Sequence, residues 1–147
     1  MQALNDDPQA LAERVGAAMF ARDRASQGLG MRLEKIAPGF ARMSMVVRAD
    51  MVNGHDICHG GLIFTLADST FAFACNSHNQ VTVAAGASID FLAPAKQGDA
   101  LTATGEERAQ GGRSGVYDIR VENQDGVVVA LFRGKSARIK GHVVEGR

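Results

Sequence analysis

Residues 62–75 form an almost wholly apolar stretch, which constrains the fold of this chain more than any other segment. Apolar side chains occupy every face that a helix over this stretch would have, and its only charged residue is Asp68. A helix that is apolar all round is buried. The stretch is shorter than the roughly 18 apolar residues that a membrane-spanning helix takes. The sequence therefore predicts a central helix enclosed by the rest of a domain.

The segments around this helix alternate between apolar and polar residues, as the two faces of a β-strand do. A first helix, capped by Asp7 and with Pro8 in its first turn, is predicted to end at Gly28. Runs of strands with segregated helices are typical of an α+β domain, here an antiparallel sheet wrapped around one long central helix. We expect one domain over residues 1–140 and a flexible tail over residues 141–147. The predicted strands cover residues 29–36, 41–48, 81–91, 101–108, 117–122 and 127–139.

Charge and cysteine content exclude several classes of protein. The chain carries 16 Lys and Arg against 16 Asp and Glu, which argues against a general nucleic-acid binder with its basic excess. Cys58 and Cys75 provide no disulfide framework, which fits a reducing cytoplasm. Residues 1–7 lack the basic-then-apolar pattern of a signal peptide. We expect a cytoplasmic protein that binds neither nucleic acid nor membrane.

Asp68 is the residue that most strongly indicates chemistry. An ionised carboxylate among apolar side chains is costly unless it is paired or hydrogen-bonded. One interpretation gives Asp68 a polar partner across the core. The other makes it a nucleophile or a general base whose pKa is tuned by its surroundings.

Gly60 and Gly61 stand where the apolar helix begins. The free N–H groups of a helix N-terminus suit a developing oxyanion, and glycine lets a ligand approach the backbone closely. A tight turn is the alternative interpretation. Gly60 and Asp68 are eight residues apart, about 12 Å along a helix, so one chain does not easily bring both to one carbonyl. If both act on the same bond, two antiparallel helices of a symmetric dimer form two shared sites.

The loop before this helix has residue types that bind metals, but their spacing is crowded and only His78 is available nearby. We therefore expect no metal. Cys58 and Cys75 are either nucleophilic thiols or small apolar fillers, and the filler interpretation is preferred. The metal-binding residue types in the loop are His55, Asp56, Cys58 and His59.

Basic residues concentrate late in the chain. A phosphate-bearing ligand such as coenzyme A suits them, and a charged, solvated strand edge is the competing interpretation. These residues are Arg113, Arg133, Lys135, Arg138 and Lys140.

Four segments resemble the hotdog-fold acyl-CoA thioesterases, and within them the branch that acts in phenylacetate degradation. The resemblance covers most of residues 53–139. It implies a hotdog sheet around a central helix, dimers that pair into homotetramers, and neither metal nor other cofactor. It also implies hydrolysis of phenylacetyl-CoA-type, ring-hydroxylated aryl-acetyl thioesters. The segments are Asn53-Gly54-His55-Asp56-Ile57-Cys58-His59-Gly60-Gly61 with Leu66-Ala67-Asp68, then residues 87–92, 115–119 and 130–136.

By motif position, the resemblance implies that Asp68 is the catalytic carboxylate and that the Gly60 amide of the other subunit polarises the thioester carbonyl. Asn53 and His59 would shape the site, and Ser69 would assist Asp68 or a water molecule. The further residues expected to bind substrate are Gly61, Phe64, Phe71, Arg113, Arg133 and Lys135.

Two other functions stay open. A dehydratase of the same fold needs a histidine, here His59, facing an acid across the site. A non-catalytic acyl-CoA-binding module keeps the pocket and the basic residues but has no need of Asp68. The sequence also leaves open whether Asp68 attacks the carbonyl itself or activates a water molecule.

Overall fold

The structure, a computed structural model, describes residues 7–145. Within that range the helices and strands follow the predicted order, with two additional short helices, one directly after the first helix and a single 3₁₀ turn at Ala49–Met51. They are α1 (Pro8–Arg22), α2 (Arg24–Gly28), β1 (Arg32–Ala37), β2 (Phe40–Val46), α3 (Gly60–Asn76), β3 (Thr82–Phe91), β4 (Ala100–Gly111), β5 (Ser114–Glu122) and β6 (Val128–Arg138).

The six strands form one antiparallel sheet in the order β1-β2-β4-β5-β6-β3. Helix α3 lies across the inner face of this sheet and packs mainly on β2, β4 and β5. Alternate residues of β5 point inward, so Tyr117, Ile119 and Val121 are buried beneath the helix. The predicted antiparallel sheet around a long central helix is confirmed.

The predicted first helix is two helices. Asp7 caps α1 as expected, since its side chain accepts the N–H of Ala10 at 2.7 Å. Asp23 ends α1 and caps α2 by accepting the N–H of Ser26 at 3.0 Å. A single helix continuing to Gly28 was therefore a wrong prediction, because the aspartate side chain binds the backbone ahead of it and competes with helical hydrogen bonding.

Strand β3 is an edge strand, bonded only to β6. The alternating pattern predicted Val83 and Phe91 on one face, but a bulge between Ala84 and Gly86 adds a residue to the strand. Beyond the bulge, each side chain points to the opposite face of the sheet from the one that simple alternation predicts, because side chains alternate with a period of two and the bulge adds one residue. Phe91 therefore lies on the inner face and Val83 on the outer one, and both are exposed, at 53% and 44%.

Residues 141–145, part of the predicted tail, are hydrogen-bonded to the segment between α3 and β3. The N–H of Val81 donates to the carbonyl of Gly141 at 3.1 Å, and Asn79 exchanges two hydrogen bonds with the backbone of Val144. Residues 146–147, like residues 1–6, lie outside the described residues, and the domain boundary at residue 140 stays a prediction. Within residues 7–145, no helix is long and apolar enough to cross a membrane.

Candidate active site

Asp68 lies midway along α3 on its half-buried side, in line with Thr65 and Ala72. Its carboxylate makes no hydrogen bond or ion pair with any other residue in the described part of the chain. Burial raises the pKa of Asp68 above its ordinary value. No polar partner across the core therefore accounts for Asp68 within residues 7–145, and its carboxylate is a good proton acceptor.

Neither cysteine has the character of a nucleophile. Burial raises the pKa of the Cys58 thiol. Burial also raises the pKa of Cys75 to about 12, and the charge of Asp68 adds to that effect. Because the thiolate is the reactive form of cysteine, both residues fit the interpretation as small apolar fillers.

The two glycine N–H groups at the start of α3 have different surroundings. The N–H of Gly61 donates to Nδ1 of His59, the N-cap residue of the helix, at 3.0 Å. The N–H of Gly60 donates to no group in residues 7–145. The first N–H groups of a helix have no partner inside it, so Gly60 is the donor that stays available to an incoming carbonyl.

The hydrogen bond that caps the helix also determines the tautomer of the neutral His59 ring. Because Nδ1 accepts a hydrogen bond, the neutral ring carries its hydrogen on Nε2, a tautomer assigned from this contact. The ring lone pair is therefore engaged at the helix start. While the cap is intact, His59 cannot also remove a proton from a substrate.

Asn53 offers a second donor at the same place. Its Oδ1 accepts the N–H of His55 at 2.9 Å and that of Ile57 at 3.4 Å, which holds the loop in an Asx-type turn. The Nδ2 group has no acceptor among residues 7–145. Asn53 and Gly60 line one cavity of about 360 Å³ together with Cys58. The lining of this cavity thus includes two residues with unpaired N–H donors and is otherwise largely apolar.

The same cavity contains an aromatic residue that sequence reasoning missed, Phe91 at the end of β3. A Cβ atom built on Gly60 would lie 3.0 Å from Cζ of the Phe91 ring, so a side chain at position 60 would require this ring to shift by a few tenths of an ångström. Phe91 stands in the apolar alternation of its strand, which was the one available signal. Nothing local in the sequence places the end of β3 against the start of α3.

The two phenylalanines expected to bind substrate, Phe64 and Phe71, pack in or against the core. Phe71 is 1% exposed, and its ring centre is 5.7 Å from that of Tyr117 and 5.9 Å from that of Phe132. Phe64 packs edge-on against Phe132 at 5.2 Å. Neither ring lines the cavity at Gly60, and their contact with substrate stays a prediction.

Ser69 is turned toward α2. Its Oγ lies 2.8 Å from Oγ of Ser26, which in turn donates to the carboxylate of Asp23 at 2.6 Å. A carboxylate only accepts, so the hydrogen of Ser26 goes to Asp23 and the hydrogen of Ser69 goes to Ser26. Ser69 can therefore act toward Asp68 or a water molecule only as an acceptor, and its role there stays a prediction.

The basic residues expected to bind coenzyme A form two separate groups. Arg133, on the outer face of β6, makes a two-point ion pair with Asp118 at 2.7 and 2.9 Å. Lys135 follows on the same exposed face. Arg113 lies in the hairpin between β4 and β5, next to a different cavity of about 380 Å³. The basic residues lining that cavity are Arg113, Arg138 and Lys140.

Residues 7–145 contain no group of three or more His, Cys, Asp or Glu side chains placed to hold a metal ion. His78, the one further candidate ligand, is engaged by Glu107 at 2.8 Å.

Within one protomer, the predicted catalytic groups do not converge. Gly60 and Asp68 stand on one straight helix, about 12 Å apart along its axis. The cavity at Gly60 is lined by Asn53 and Phe91 but not by Asp68. The structure thus brings Gly60 and Asn53 together at one cavity and leaves the expected carboxylate, Asp68, outside it.

Comparison with known proteins gives a consistent result. The sequence profile of the thioesterase superfamily matches residues 55–130. The acyl-coenzyme A thioesterase PaaI of Escherichia coli is 50% identical over 126 residues, which cover 86% of this chain and 90% of that protein. The solved structure of E. coli PaaI, from the phenylacetic acid degradation operon, superposes with a TM-score of 0.91 at 47% identity. That superposition covers 92% of this chain and 99% of the other.

A more distant structure carries a ligand. A hypothetical thioesterase of Streptococcus pneumoniae, solved with coenzyme A, is 28% identical with a TM-score of 0.73. The match covers 76% of this chain and 90% of that one.

Proposed function

The chain belongs to the thioesterase superfamily and has its hotdog fold, and we propose that it hydrolyses phenylacetyl-CoA and ring-hydroxylated phenylacetyl-CoA thioesters to the free acid and coenzyme A. That the chain is an acyl-CoA thioesterase follows from the family and from its 50% identity to the E. coli enzyme. Support for the narrower substrate class comes from the phenylacetic acid degradation operon of that relative and from the apolar cavity beside Gly60.

The observation that carries the proposal is a pair of uncommitted donors at one cavity, the Gly60 N–H and Nδ2 of Asn53. A thioester carbonyl oxygen gains negative charge when its carbon is attacked, and donors held in place stabilise that charge without rearranging. Both donors are fixed by other contacts: Asn53 through its Oδ1, and Gly60 by the capped helix start.

Asp68 supplies the attack. As a general base it takes a proton from a water molecule, whose oxygen then bonds the carbonyl carbon. The tetrahedral intermediate expels coenzyme A as a thiolate, which takes up a proton. As a nucleophile, Asp68 would instead form an anhydride that water hydrolyses. Single turnover in ¹⁸O-labelled water distinguishes these routes, because Asp68 gains label only through the anhydride.

We propose that each active site is shared between two protomers of a homodimer, which assembles further into a homotetramer. A second helix packed antiparallel on the half-buried side of α3 brings the Gly60 of one protomer near the Asp68 of the other. Strand β3 supports this arrangement, because its free edge leaves backbone groups open for pairing with another strand. Exposed apolar residues at both ends of β3, Val83 and Phe91, add surface for burial.

We propose that coenzyme A binds through its phosphates to basic side chains, as the related protein solved with coenzyme A supports. Arg113 is favoured because it shares a cavity with other cations, while Arg133 already holds Asp118. Lys135 offers a further charge on the outer face. A cytoplasmic location is proposed from the two unpaired thiols.

The dehydratase alternative loses support at His59. A dehydratase needs this ring as a base, but the cap occupies the Nδ1 lone pair and leaves the hydrogen on Nε2. A non-catalytic acyl-CoA-binding module does not account for a half-buried Asp68 carboxylate that has no partner among residues 7–145.

The test is release of free thiol from a panel of aryl-acetyl and straight-chain CoA thioesters, with wild type and Asp68→Asn. Removing the base or nucleophile is expected to lower kcat on phenylacetyl-CoA by about 10²–10⁴-fold. Asp125→Asn, in the exposed turn before β6, is the matched control and keeps wild-type turnover. Near wild-type turnover in Asp68→Asn would exclude the proposed role of this carboxylate. No turnover of any thioester by wild type would exclude the activity.

A further inference from the structure

Ser69, directly after the expected catalytic carboxylate, turns its hydroxyl away from its own helix. The neighbouring hydroxyls of α3, those of Thr65 and Thr70, each donate at 2.8 Å to the carbonyl four residues earlier, a local pattern open to serine and threonine in helices. Ser69 instead has its Oγ 2.8 Å from Oγ of Ser26 in α2. A residue of another helix therefore decides where the hydrogen of Ser69 points.

Ser26 in turn has its own hydrogen committed to Asp23. Its Oγ–H donates to Oδ2 of Asp23 at 2.6 Å, and its N–H donates to Oδ1 of the same carboxylate at 3.0 Å. A carboxylate only accepts, and Ser26 is 1% exposed, so water does not compete for this hydrogen. Asp23, Ser26 and Ser69 thus form a chain with a fixed direction, the serine chain, in which Ser69 donates to Ser26 and Ser26 donates to Asp23.

The serine chain leaves Ser69 with only lone pairs to offer. Its hydrogen is used, and its Oγ has no further partner within residues 7–145. Consecutive side chains on a helix do not face each other, so Ser69 and Asp68 are not placed to bond directly. Both are half-buried and stand next to each other on α3, so a water molecule between them can donate one hydrogen to each.

Such a water molecule is oriented for attack. Water has two hydrogens and two lone pairs, and it bonds the carbonyl carbon through a lone pair. With Ser69 accepting one hydrogen and Asp68 removing the other as general base, both lone pairs stay free to face the thioester. If Ser69 donated instead, its hydrogen would occupy one of those lone pairs.

We propose that Asp23 and Ser26 are positioning residues for the hydrolysis: they take up the hydrogen of Ser69, so that Ser69 holds the attacking water molecule as an acceptor. The proposal rests on the thioesterase function proposed above, with Asp68 as the general base. Both positioning residues lie outside residues 53–139, which carry the resemblance to the thioesterases.

Asp23→Asn tests the direction of the chain while keeping its atoms in place. The N–H of Ser26 can only donate, so the amide oxygen stays opposite it, and the new NH₂ group faces Oγ of Ser26 and donates to it. Ser26 then has Ser69 as the acceptor for its own buried hydrogen, and the hydrogen of Ser69 is released toward the water molecule. We expect kcat on phenylacetyl-CoA to fall about 3- to 10-fold, the size of one hydrogen bond, with KM near that of wild type.

The same substitution in a Ser69→Ala background separates positioning from structural damage. Ser69→Ala removes the acceptor, so Asp23→Asn should have no further effect there, whereas a loss of folded protein lowers the measured rate by the same factor in both backgrounds. Ser26→Ala frees the same hydrogen without removing the cap of α2, and it should behave as Asp23→Asn does. Asp7→Asn is the matched control, because Asp7 caps α1 in the same way, and it should keep the wild-type kcat.

Wild-type kcat in Asp23→Asn or in Ser69→Ala would overturn the inference, as would an equal loss on Asp23→Asn with and without Ser69. In each of these cases the thioesterase function stands, since wild type still releases thiol. If wild type hydrolyses no thioester, the proposed function itself fails.

Discussion

Polar groups near the two ends of helix α3 differ in whether they have hydrogen-bond partners. At the C-terminal end, Asn76 exchanges hydrogen bonds of 2.9 and 3.1 Å with the backbone of Thr82, and Ser77 accepts the N–H of Gly39 at 2.7 Å. At the N-terminal end, the Gly60 N–H and the Nδ2 group of Asn53 have no partner among residues 7–145. Asn53 and Gly60 are half-buried, so these two donors are open to a ligand at this end of the helix.

Ionisable groups show the same contrast. Burial alone would raise the pKa of Glu107, but hydrogen bonds from His78 and Tyr117 outweigh it and hold that pKa below its ordinary value. Asp68 has no such partners, and burial raises its pKa. One carboxylate is thus stabilised in its charged form by hydrogen bonds, and the other has no such stabilisation.

Among changes that test this contrast between the two ends of α3, removing the free N–H donor of Gly60 is expected to have the largest effect. Gly60→Pro eliminates the N–H group, whereas Gly60→Ala keeps it, and each adds a Cβ that meets the ring of Phe91. Proline is tolerated at the first position of a helix, and His59 already has the extended ψ of 131° that a residue before proline prefers. We expect kcat for Gly60→Pro to be about 10²–10³-fold below that of Gly60→Ala.

Steady-state thiol release from phenylacetyl-CoA measures this difference, with circular dichroism to establish that both variants fold. Equal kcat values for the proline and alanine variants would mean that the Gly60 N–H does not stabilise the oxyanion. The contrast between the helix ends would then carry no functional meaning.

Much of this contrast was predictable from the sequence, because it depends on strong local signals. The apolar helix, its single carboxylate Asp68 and the glycines at its start are all visible in consecutive residues. The contact between the Phe91 ring and Gly60 was not predictable, since a bulge in β3 and the sheet order create it. Similarly, only the side-chain rotamer of His59 decides that Gly61 is engaged and Gly60 is free.

A smaller effect, on stability alone, is expected at the C-terminal end. Tyr117→Phe removes one hydrogen bond to Glu107 from a fully buried ring and should lower the free energy of unfolding by about 1 kcal/mol. Because this end contains none of the proposed catalytic groups, kcat should change by less than about twofold. Urea unfolding and thiol release on the same preparation check both statements. A large loss of kcat with little loss of stability would show that the two ends are not functionally separate.

The smallest expected effect concerns the free energy of unfolding, which should depend on pH in opposite directions at Asp68 and at Glu107. The raised pKa of Asp68 stabilises the fold at low pH, and this contribution is lost as pH rises through that pKa. Asp68→Asn should therefore gain stability relative to wild type as pH rises. Glu107 behaves in the opposite way. Because its pKa is lowered in the folded protein, Glu107 stabilises the fold at pH values above the ordinary glutamate pKa, and this contribution is lost as pH falls through the lowered pKa.

Urea unfolding of wild type, Asp68→Asn and Glu107→Gln across the acid range in which carboxylates titrate measures both trends. At neutral pH, Glu107→Gln should be less stable than wild type and Asp68→Asn more stable. Both differences in the free energy of unfolding should shrink as the pH is lowered. If both variants were more stable than wild type at neutral pH, or both were less stable, Asp68 and Glu107 would not differ in their electrostatic contribution to stability.

Complementation tests most directly whether the donor and the carboxylate of one site come from different protomers. Asp68→Asn and Gly60→Pro chains, carrying different tags, are co-expressed and the mixed dimer is purified through both tags. A shared site predicts that one of the two sites per mixed dimer is intact, so about half of the wild-type kcat per dimer returns. Activity no higher than that of the two parent variants would contradict the shared site.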